Sequence, residues 1–187
     1  IHQQVGDLDP GAPELRPNSR YNKDNQFIMD NYSLSSDLFA VIVKTPPMGG
    51  MQYETLIEID RLAWELEQLP EVQRTVSTAD AIRQITIGTC EGSPKWYSIS
   101  RNQKTLNFAL TYSLQNSPEL SNMDVSVMPL IAYLKDHKAT TLDTVIKTVE
   151  EYAREHNVEE RQFLLAAGTA GVEAATNIVV AKANIIM

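Results

Sequence analysis

Two stretches of this chain follow the same order of patterns: an apolar strand, an amphipathic helix and a second strand. In the first stretch, residues 38–43 form a continuous apolar run rich in β-branched side chains, which predicts a covered or central strand. Residues 53–69 then carry leucines and isoleucines at steps of three and four, and residues 72–76 alternate apolar with polar side chains. This order predicts one strand–helix–strand unit.

The second stretch repeats that order. Residues 125–134 predict a strand, which Pro129 assigns to an edge or a bulge because proline cannot donate to a ladder. Thr140 and Asp143 match the capping box that begins the next helix. The buried stripe of this helix is predicted to be Leu142, Val145, Val149 and Tyr152. Residues 162–167 predict the last strand. Two such units in tandem are typical of an α+β, ferredoxin-like split βαβ domain.

The region between the two units is harder to interpret. Ser77 and Asp80 predict the start of a short helix that ends near Ile85. Residues 86–123 then contain two glycines and two prolines, and residues 105–112 predict a strand. We therefore expect an irregular insertion at about 86–123 between the two βαβ halves.

An extension is predicted on each side of this domain, which covers residues 36–168. Residues 1–35 predict an N-terminal linker and a lead-in helix, with Asn18 as the helix cap. Residues 169–187 predict a C-terminal helix that leads toward a membrane span, because their apolar content rises without a cap. Both ends look cut, so we expect an excised domain.

The bulk composition excludes several classes of partner. The 24 acidic and 16 basic residues give a net charge of −8, which disfavours nucleic acid and anionic membrane surfaces. The sequence has no run of eighteen apolar residues, so no complete membrane span is expected within it. Cys90 is the single cysteine, which rules out a disulfide within the chain.

One segment has the form of a catalytic motif. Residues 88–92 read G-x-C-x-G, a variant of the nucleophile elbow with Cys90 as nucleophile. That motif needs a helix directly after the nucleophile, and Pro94 disfavours one. The histidines lack metal-ligand spacing and are interpreted as surface residues on solvated helix ends: His2, His137 and His156. We expect no catalytic residue, no metal and no cofactor, and hence no enzyme.

The order of several segments resembles the first large extracytoplasmic loop of exporters of the RND superfamily. These segments are residues 6–21, 37–43, 92–96, 101–103, 126–129 and 168–180. The chain is most similar to predicted bacterial exporters of the MMPL and hopanoid-transporter branch. The resemblance implies a porter domain on the periplasmic side of the bacterial inner membrane, in a proton-driven efflux or export transporter. Its implied partners are the membrane helices and second porter domain of the same transporter, and a homo-oligomer is compatible with it.

Soft and aromatic side chains on two loops predict a path for a hydrophobic, amphipathic or lipid-like substrate. Met48 and Met51 lie on a glycine-rich loop, and Trp96 and Tyr97 lie in the irregular region. The alternative is that these side chains only cover the edge of the core. Two other functions stay open: a free-standing α+β domain that binds a small ligand, and a Cys-dependent hydrolase.

Overall fold

Four antiparallel strands and five helices form the part of the chain that the structure describes, which is Arg16, residues 18–31 and residues 37–166. The structure is a computed structural model. The helices are α1 (Arg20–Asn31), α2 (Tyr53–Glu67), α3 (Thr78–Thr89), α4 (Gln103–Asn116) and α5 (Ala139–His156). The strands are β1 (Leu38–Lys44), β2 (Val72–Val76), β3 (Val127–Leu134) and β4 (Gln162–Ala166). The α+β class predicted from the sequence is confirmed.

The strands form one sheet in the order β2-β3-β1-β4. Helix α2 connects β1 to β2 across β3, and helix α5 connects β3 to β4 across β1. The apolar run at β1 was predicted to be central, and β1 does lie between β3 and β4. Each half of the sheet is therefore a strand–helix–strand unit whose strands are separated by a strand of the other half.

The edge position predicted for the strand with Pro129 is wrong, because β3 lies inside the sheet. Pro129 is opposite Ile42 on β1, whereas the pairing of β2 with β3 ends at Ile131. At Pro129, β3 therefore has a described neighbour on one flank only. A proline whose missing N–H faces the unpaired flank removes no ladder hydrogen bond.

The hydrophobic core fills the space between one face of the sheet and the helices. Alternate side chains of β1 and β3 point into it and are buried. The predicted stripes of α2 and α5 face the same space, with Leu62 and Val149 both fully buried. Burial of such side chains contributes about 1.5–3 kcal/mol each. This confirms the buried faces predicted for both helices.

The predicted strand over residues 105–112 is wrong, since this segment lies inside helix α4. Its apolar residues at 106, 108, 110 and 112 alternate as in a strand, but its buried residues recur at helical steps. Asn102 begins the helix by accepting hydrogen bonds from the N–H groups of Lys104 and Thr105. Helices α3 and α4 therefore occupy nearly half of the expected irregular insertion.

The helix ends show which capping signals were correct. Ser77 caps α3 as predicted, by accepting from the N–H of Asp80, but α3 continues to Thr89 rather than ending near Ile85. The capping box at Thr140 and Asp143 is wrong, since α5 begins at Ala139. The N-cap position is Lys138, which makes no side-chain cap. Asp136 instead accepts from the N–H of Lys138 and the hydroxyl of Thr141, at 3.2 and 2.5 Å, and so ties the preceding segment to the first turn.

At the N-terminal helix, the hydroxyl of Ser19, rather than Asn18, accepts from the N–H of Asn22. The predicted helix over residues 169–187 and the linker over residues 1–15 lie outside the described residues. Within the described ranges, none of the helices combines the length and the apolar character needed to cross a membrane.

Candidate functional site

Met48 and Met51, two of the predicted substrate-path residues, lie on the turn that joins β1 to α2. Met48 is half-exposed and adopts a left-handed backbone conformation, whereas Met51 packs against the core. Gly50 allows this turn to lie against β3, because a Cβ there would come within 2.5 Å of the Cε of Met128. The turn that carries Met48 is therefore packed closely against β3.

Trp96 and Tyr97, the other two predicted residues, lie on a separate turn that packs on α3. Both are half-exposed. The guanidinium carbon of Arg83 lies 5.4 Å from the centre of the Tyr97 ring, and Nζ of Lys95 lies 5.7 Å from that of Trp96. The two pairs thus have different neighbours, and their role as one substrate path stays a prediction.

Residues at the start of α4 and just before it contact the Met48 turn and the start of α2. The amide of Gln103 donates to the carbonyl of Met51 at 3.0 Å. Arg101 stacks over the ring of Tyr53 and contacts its hydroxyl at 3.3 Å. Two of the residues that carried the family resemblance therefore contact this region: Gln103 contacts the methionine turn, and Arg101 contacts the first residue of α2.

A cavity of about 340 Å³ lies beside this turn, between the start of α2 and the segment that precedes β4. Its lining residues are Pro46, Gly49, Gln52, Glu54, Thr55, Glu160 and Arg161. Arg161 donates to the carbonyl of His156, while its Nε is buried without a hydrogen-bond partner. The cavity thus combines one cation with the carboxylates of Glu54 and Glu160.

A second, smaller cleft of about 210 Å³ separates α2 from α3. Asp60 on α2 forms an ion pair with Arg83 on α3, and Asp80 lies 3.9 Å from the same guanidinium. Trp64 is an exposed aromatic side chain in the lining of this cleft. Because Arg83 also lies against Tyr97, it links the cleft to one of the predicted path residues.

Burial shifts the pKa of two aspartates in this cleft, Asp60 and Asp80. It raises the pKa of Asp60, an effect that Arg83 opposes and the charge of Asp80 reinforces. It also raises the pKa of Asp80, against the hydrogen bond from Ser77 and the charge of Arg83. These carboxyl groups therefore bind a proton more readily than ordinary aspartates do.

Most polar groups in and around the cleft form hydrogen bonds with one another. Glu67 accepts from the N–H and the hydroxyl of Thr75, at 2.9 and 2.7 Å, while Ser77 donates to Asp80 at 3.0 Å. These bonds hold α2, β2 and α3 together. The pairing of Asp60 with Arg83 is not predictable from the sequence, because the two residues are 23 positions apart and no local pattern connects them.

A polar cluster joins α2 to α5 on the other side of the helical layer. The hydroxyl of Tyr152 donates to Oε2 of Glu58 at 2.7 Å, and Nδ1 of His156 lies 2.9 Å from the same oxygen. The Tyr152 and His156 rings are stacked with their centres 4.1 Å apart. Burial and the Glu58 carboxylate raise the pKa of Tyr152, so this hydroxyl stays a donor.

The interpretation of His137 as a solvated residue on a helix end is wrong, because it lies before α5, 3.2 Å from the carboxylate of Asp37, with its side chain 14% exposed. His156 does lie at the end of α5 with its side chain 32% exposed, and it also contacts Glu58. Cys90 follows the last residue of α3 and lies in a turn. In a nucleophile elbow a strand comes before the nucleophile and a helix after it, so the local order here differs.

No protein-family model and no curated protein matches this chain. Within residues 18–31 and 37–166, no group of three or more His, Cys, Asp or Glu side chains is arranged to hold a metal ion. The geometry of the two clefts and the topology of the sheet are therefore the basis for a functional proposal.

Proposed function

We propose that this chain is the extracytoplasmic porter domain of an RND-type exporter, with a ferredoxin-like split βαβ fold. The observation that carries the proposal is where the chain joins and leaves the sheet. Strand β1 begins at Leu38, and β4 ends at Ala166, which pairs with Ala40. Paired residues of antiparallel strands have Cα atoms about 4.5–5.5 Å apart, so both connections lie at one end of the sheet.

A domain inserted between two consecutive membrane helices needs this arrangement. Neighbouring helices in a bundle are about 8–10 Å apart, so the two connections must run in the same direction and stay close. The strand order and the two crossover helices also agree with the split βαβ topology that the sequence predicts. Both features support the proposal independently of any single motif.

Within this proposal, the substrate is hydrophobic or amphipathic and passes the predicted path residues Met48, Met51, Trp96 and Tyr97. Three of these four side chains are half-exposed, so they are accessible to an apolar ligand. Proton-driven energy coupling belongs to membrane helices elsewhere in the transporter. The chain alone is accordingly proposed to have no turnover.

The side of the membrane can be tested by cysteine labelling of the full-length protein. Met123 is fully exposed, so Met123→Cys in a background without other cysteines, including Cys90→Ala, provides a reactive site. A membrane-impermeant maleimide should label it in intact spheroplasts. Ala79→Cys is the matched control, since Ala79 is fully buried and should stay unlabelled. Labelling of Met123→Cys only after lysis would contradict an extracytoplasmic position.

A distance measurement tests the insertion itself. Spin labels at Gly6 and Asn184 of the full-length protein, two positions outside the described residues, should be close together on one membrane-facing edge. A separation that puts them on opposite poles of the domain would rule out insertion between neighbouring membrane helices.

One observation favours the alternative of a free-standing ligand-binding domain. The cavity of about 340 Å³ beside the Met48 turn is within the size range of small-molecule sites, about 300–1,000 Å³. The two proposals differ in where the protein is found: recovery of the full-length protein from the soluble fraction after cell breakage would favour the ligand-binding domain.

A further inference from the structure

The cavity of about 340 Å³ beside the Met48 turn lies at the end of the sheet where β1 ends and β4 begins. Lys44, the last residue of β1, pairs with Gln162, the first residue of β4. Leu38 and Ala166, where the chain joins and leaves the sheet, lie about 14–20 Å away along these strands at ~3.4 Å per residue. The cavity is therefore separate from both connections, and its role can be tested apart from insertion between membrane helices.

Three charged side chains line this cavity, and none of them forms an ion pair with another described residue. Glu54 lies in the first turn of α2, Glu160 lies in the turn before β4, and both are exposed. Arg161 follows Glu160 directly, yet the two side chains do not pair with each other. Opposite charges that surround one cavity without neutralising each other are available to a ligand that carries both signs.

The guanidinium of Arg161 is held in place by its neighbours. The backbones of Val158 and Arg161 exchange two hydrogen bonds, at 2.9 and 3.2 Å. Nη2 of Arg161 donates to the carbonyl of His156 at 3.0 Å, and its guanidinium carbon lies 5.7 Å from the centre of the Phe163 ring. Because Nε is buried without a partner, Nη1 is the nitrogen that is left for a ligand. A cation fixed in this way loses little conformational freedom when it binds a carboxylate.

The opposite wall of the cavity consists of the turn before α2 and the first turn of that helix. A Cβ at Gly49 would come within 2.7 Å of the Cβ of Thr45, so this turn has little space in which to shift. The side chain of Gln52 makes no capping hydrogen bond to the described start of α2. Both walls of the cavity are therefore formed before any ligand binds, which is typical of small-molecule sites.

We propose that this cavity binds a small zwitterion, a molecule that carries both a carboxylate and an ammonium group. Its carboxylate accepts from the Arg161 guanidinium, and its ammonium group donates to Glu54 or Glu160. A simple anion meets the two glutamates, and a simple cation meets the arginine, so each is opposed by a like charge. The inference rests on the cavity being a ligand site, as the proposed ligand-binding alternative does, but not on where in the cell the protein is found.

Two zwitterions and their single-charge analogues test this ligand class on the 187-residue chain. L-alanine is compared with propionate, which lacks the ammonium group, and with ethylamine, which lacks the carboxylate. The longer ε-aminocaproate is compared with caproate and pentylamine in the same way. In calorimetric titrations we expect at least one zwitterion to bind with a dissociation constant of about 1 mM or lower. Its affinity should exceed that of both its analogues by about tenfold or more.

Variants that remove one charge assign the two ends of the ligand. Arg161→Gln should weaken the zwitterion and its carboxylate analogue alike, by about tenfold or more, the scale of one charge-assisted contact. The double variant Glu54→Gln and Glu160→Gln should weaken only the zwitterion, to the affinity of its carboxylate analogue. Because both glutamates are exposed, this variant tests the site even if Arg161→Gln fails to fold, which thermal melts reveal. Arg154→Gln, an exposed residue of α5 outside the cavity, is the matched control and should change each affinity by less than about twofold.

Two results would overturn the proposal. The first is that neither zwitterion binds more tightly than its analogues. The second is a zwitterion whose affinity does not respond to the double glutamate variant or falls equally with Arg154→Gln, which would assign the binding to another part of the surface. Recovery of the full-length protein from the soluble fraction would contradict the membrane insertion but would leave these affinities unchanged, so the two proposals can fail separately.

Discussion

The two halves of the sheet protect their outer strands in the same way but with different chemical groups. In the β1–α2–β2 half, Glu67 at the end of α2 accepts from the N–H of Thr75 at 2.9 Å. In the β3–α5–β4 half, Asn157 at the end of α5 accepts from the N–H of Phe163 at 2.8 Å. Both contacts occupy a donor that would otherwise be free on an outer strand. One half uses a carboxylate for this purpose, and the other uses an amide.

The halves differ more strongly in the direction in which the pKa values of their carboxyl groups shift. Beside the first half, α3 packs on α2 and encloses Asp60 and Asp80, whose pKa values burial raises. In the second half, burial also acts on Asp136, but hydrogen bonds from Thr141 and Lys138 outweigh it and lower the pKa. Burial therefore dominates the pKa of Asp60 and Asp80, whereas the groups that surround Asp136 outweigh it.

The largest expected effect tests whether both halves contribute equally to the core. Leu62→Ala on α2 and Val149→Ala on α5 remove fully buried side chains from equivalent helices. Each should lower the free energy of unfolding by about 2–4 kcal/mol, as other large-to-small core changes do. Denaturant titration measures this loss, with the exposed Glu151→Ala as control. A loss below about 0.5 kcal/mol in either half would show that its helix does not hold the sheet.

The next effect concerns the polar contact between the two helices. Tyr152→Phe removes the hydroxyl that donates to the Glu58 carboxylate at 2.7 Å and to its carbonyl at 3.0 Å. We expect a loss of about 1.5–3 kcal/mol, since the acceptor is charged. Tyr112→Phe on α4 is the matched control, because Tyr112 is half-exposed. Equal losses in the two variants would mean that the contact of α2 with α5 does not depend on this cluster.

A smaller effect is expected at the two edges. Glu67→Ala and Asn157→Ala each leave one strand N–H without its side-chain acceptor, and each should cost about 0.5–1.5 kcal/mol. Hydrogen exchange should then speed up at Thr75 in the first variant and at Phe163 in the second. Faster exchange at both amides in each variant would indicate that the edges are coupled, against the independence of the two halves.

Local sequence patterns were sufficient where one periodicity dominates. The β-branched run of β1 and the three-and-four spacing of α2 each match a single template, so both elements were predicted nearly to their ends. In α4, by contrast, Phe108 and Tyr112 are exposed apolar residues, and they create a strand-like alternation that competes with the helical one. Whether such a segment folds as a helix or as a strand depends on tertiary packing against residues that are distant in the sequence. A local pattern therefore cannot predict the outcome.

The candidate site was less predictable than the fold for the same reason. Ser77 and Asp80 were recognised as a local cap, but the partner of Arg83 depends on the packing of α3 against α2. Likewise, the hydrogen bond from Thr141 in the first turn of α5 to Asp136 was not predicted, since Asp136 lies three residues before the helix begins. A pattern within one segment cannot predict contacts that depend on how two helices or strands pack against each other.

The smallest expected effect is a difference in pH dependence between the two halves. The folded-state pKa of Asp80 is raised from 3.8, so the folded chain binds more protons there than the unfolded chain does. Its contribution to stability is therefore present at low pH and is lost as the pH rises above 3.8 through the folded value. The pKa of Asp136 is lowered from 3.8, so its contribution is present above that pH and is lost as the pH falls below it.

The variants Asp80→Asn and Asp136→Asn should consequently respond to pH with opposite signs. Relative to the wild type, Asp80→Asn should gain stability as the pH rises above about 4, because it lacks the carboxyl that burial disfavours as an anion. Asp136→Asn should be less stable than the wild type near neutral pH, and this deficit should shrink as the pH falls below about 4. Each shift should stay below about 1 kcal/mol, the scale of partly exposed ionic contacts. Denaturant titrations of the three proteins across this pH range measure the difference in unfolding free energy between each variant and the wild type. If both differences change in the same direction with pH, burial and hydrogen bonding do not distinguish the carboxyl groups of the two halves.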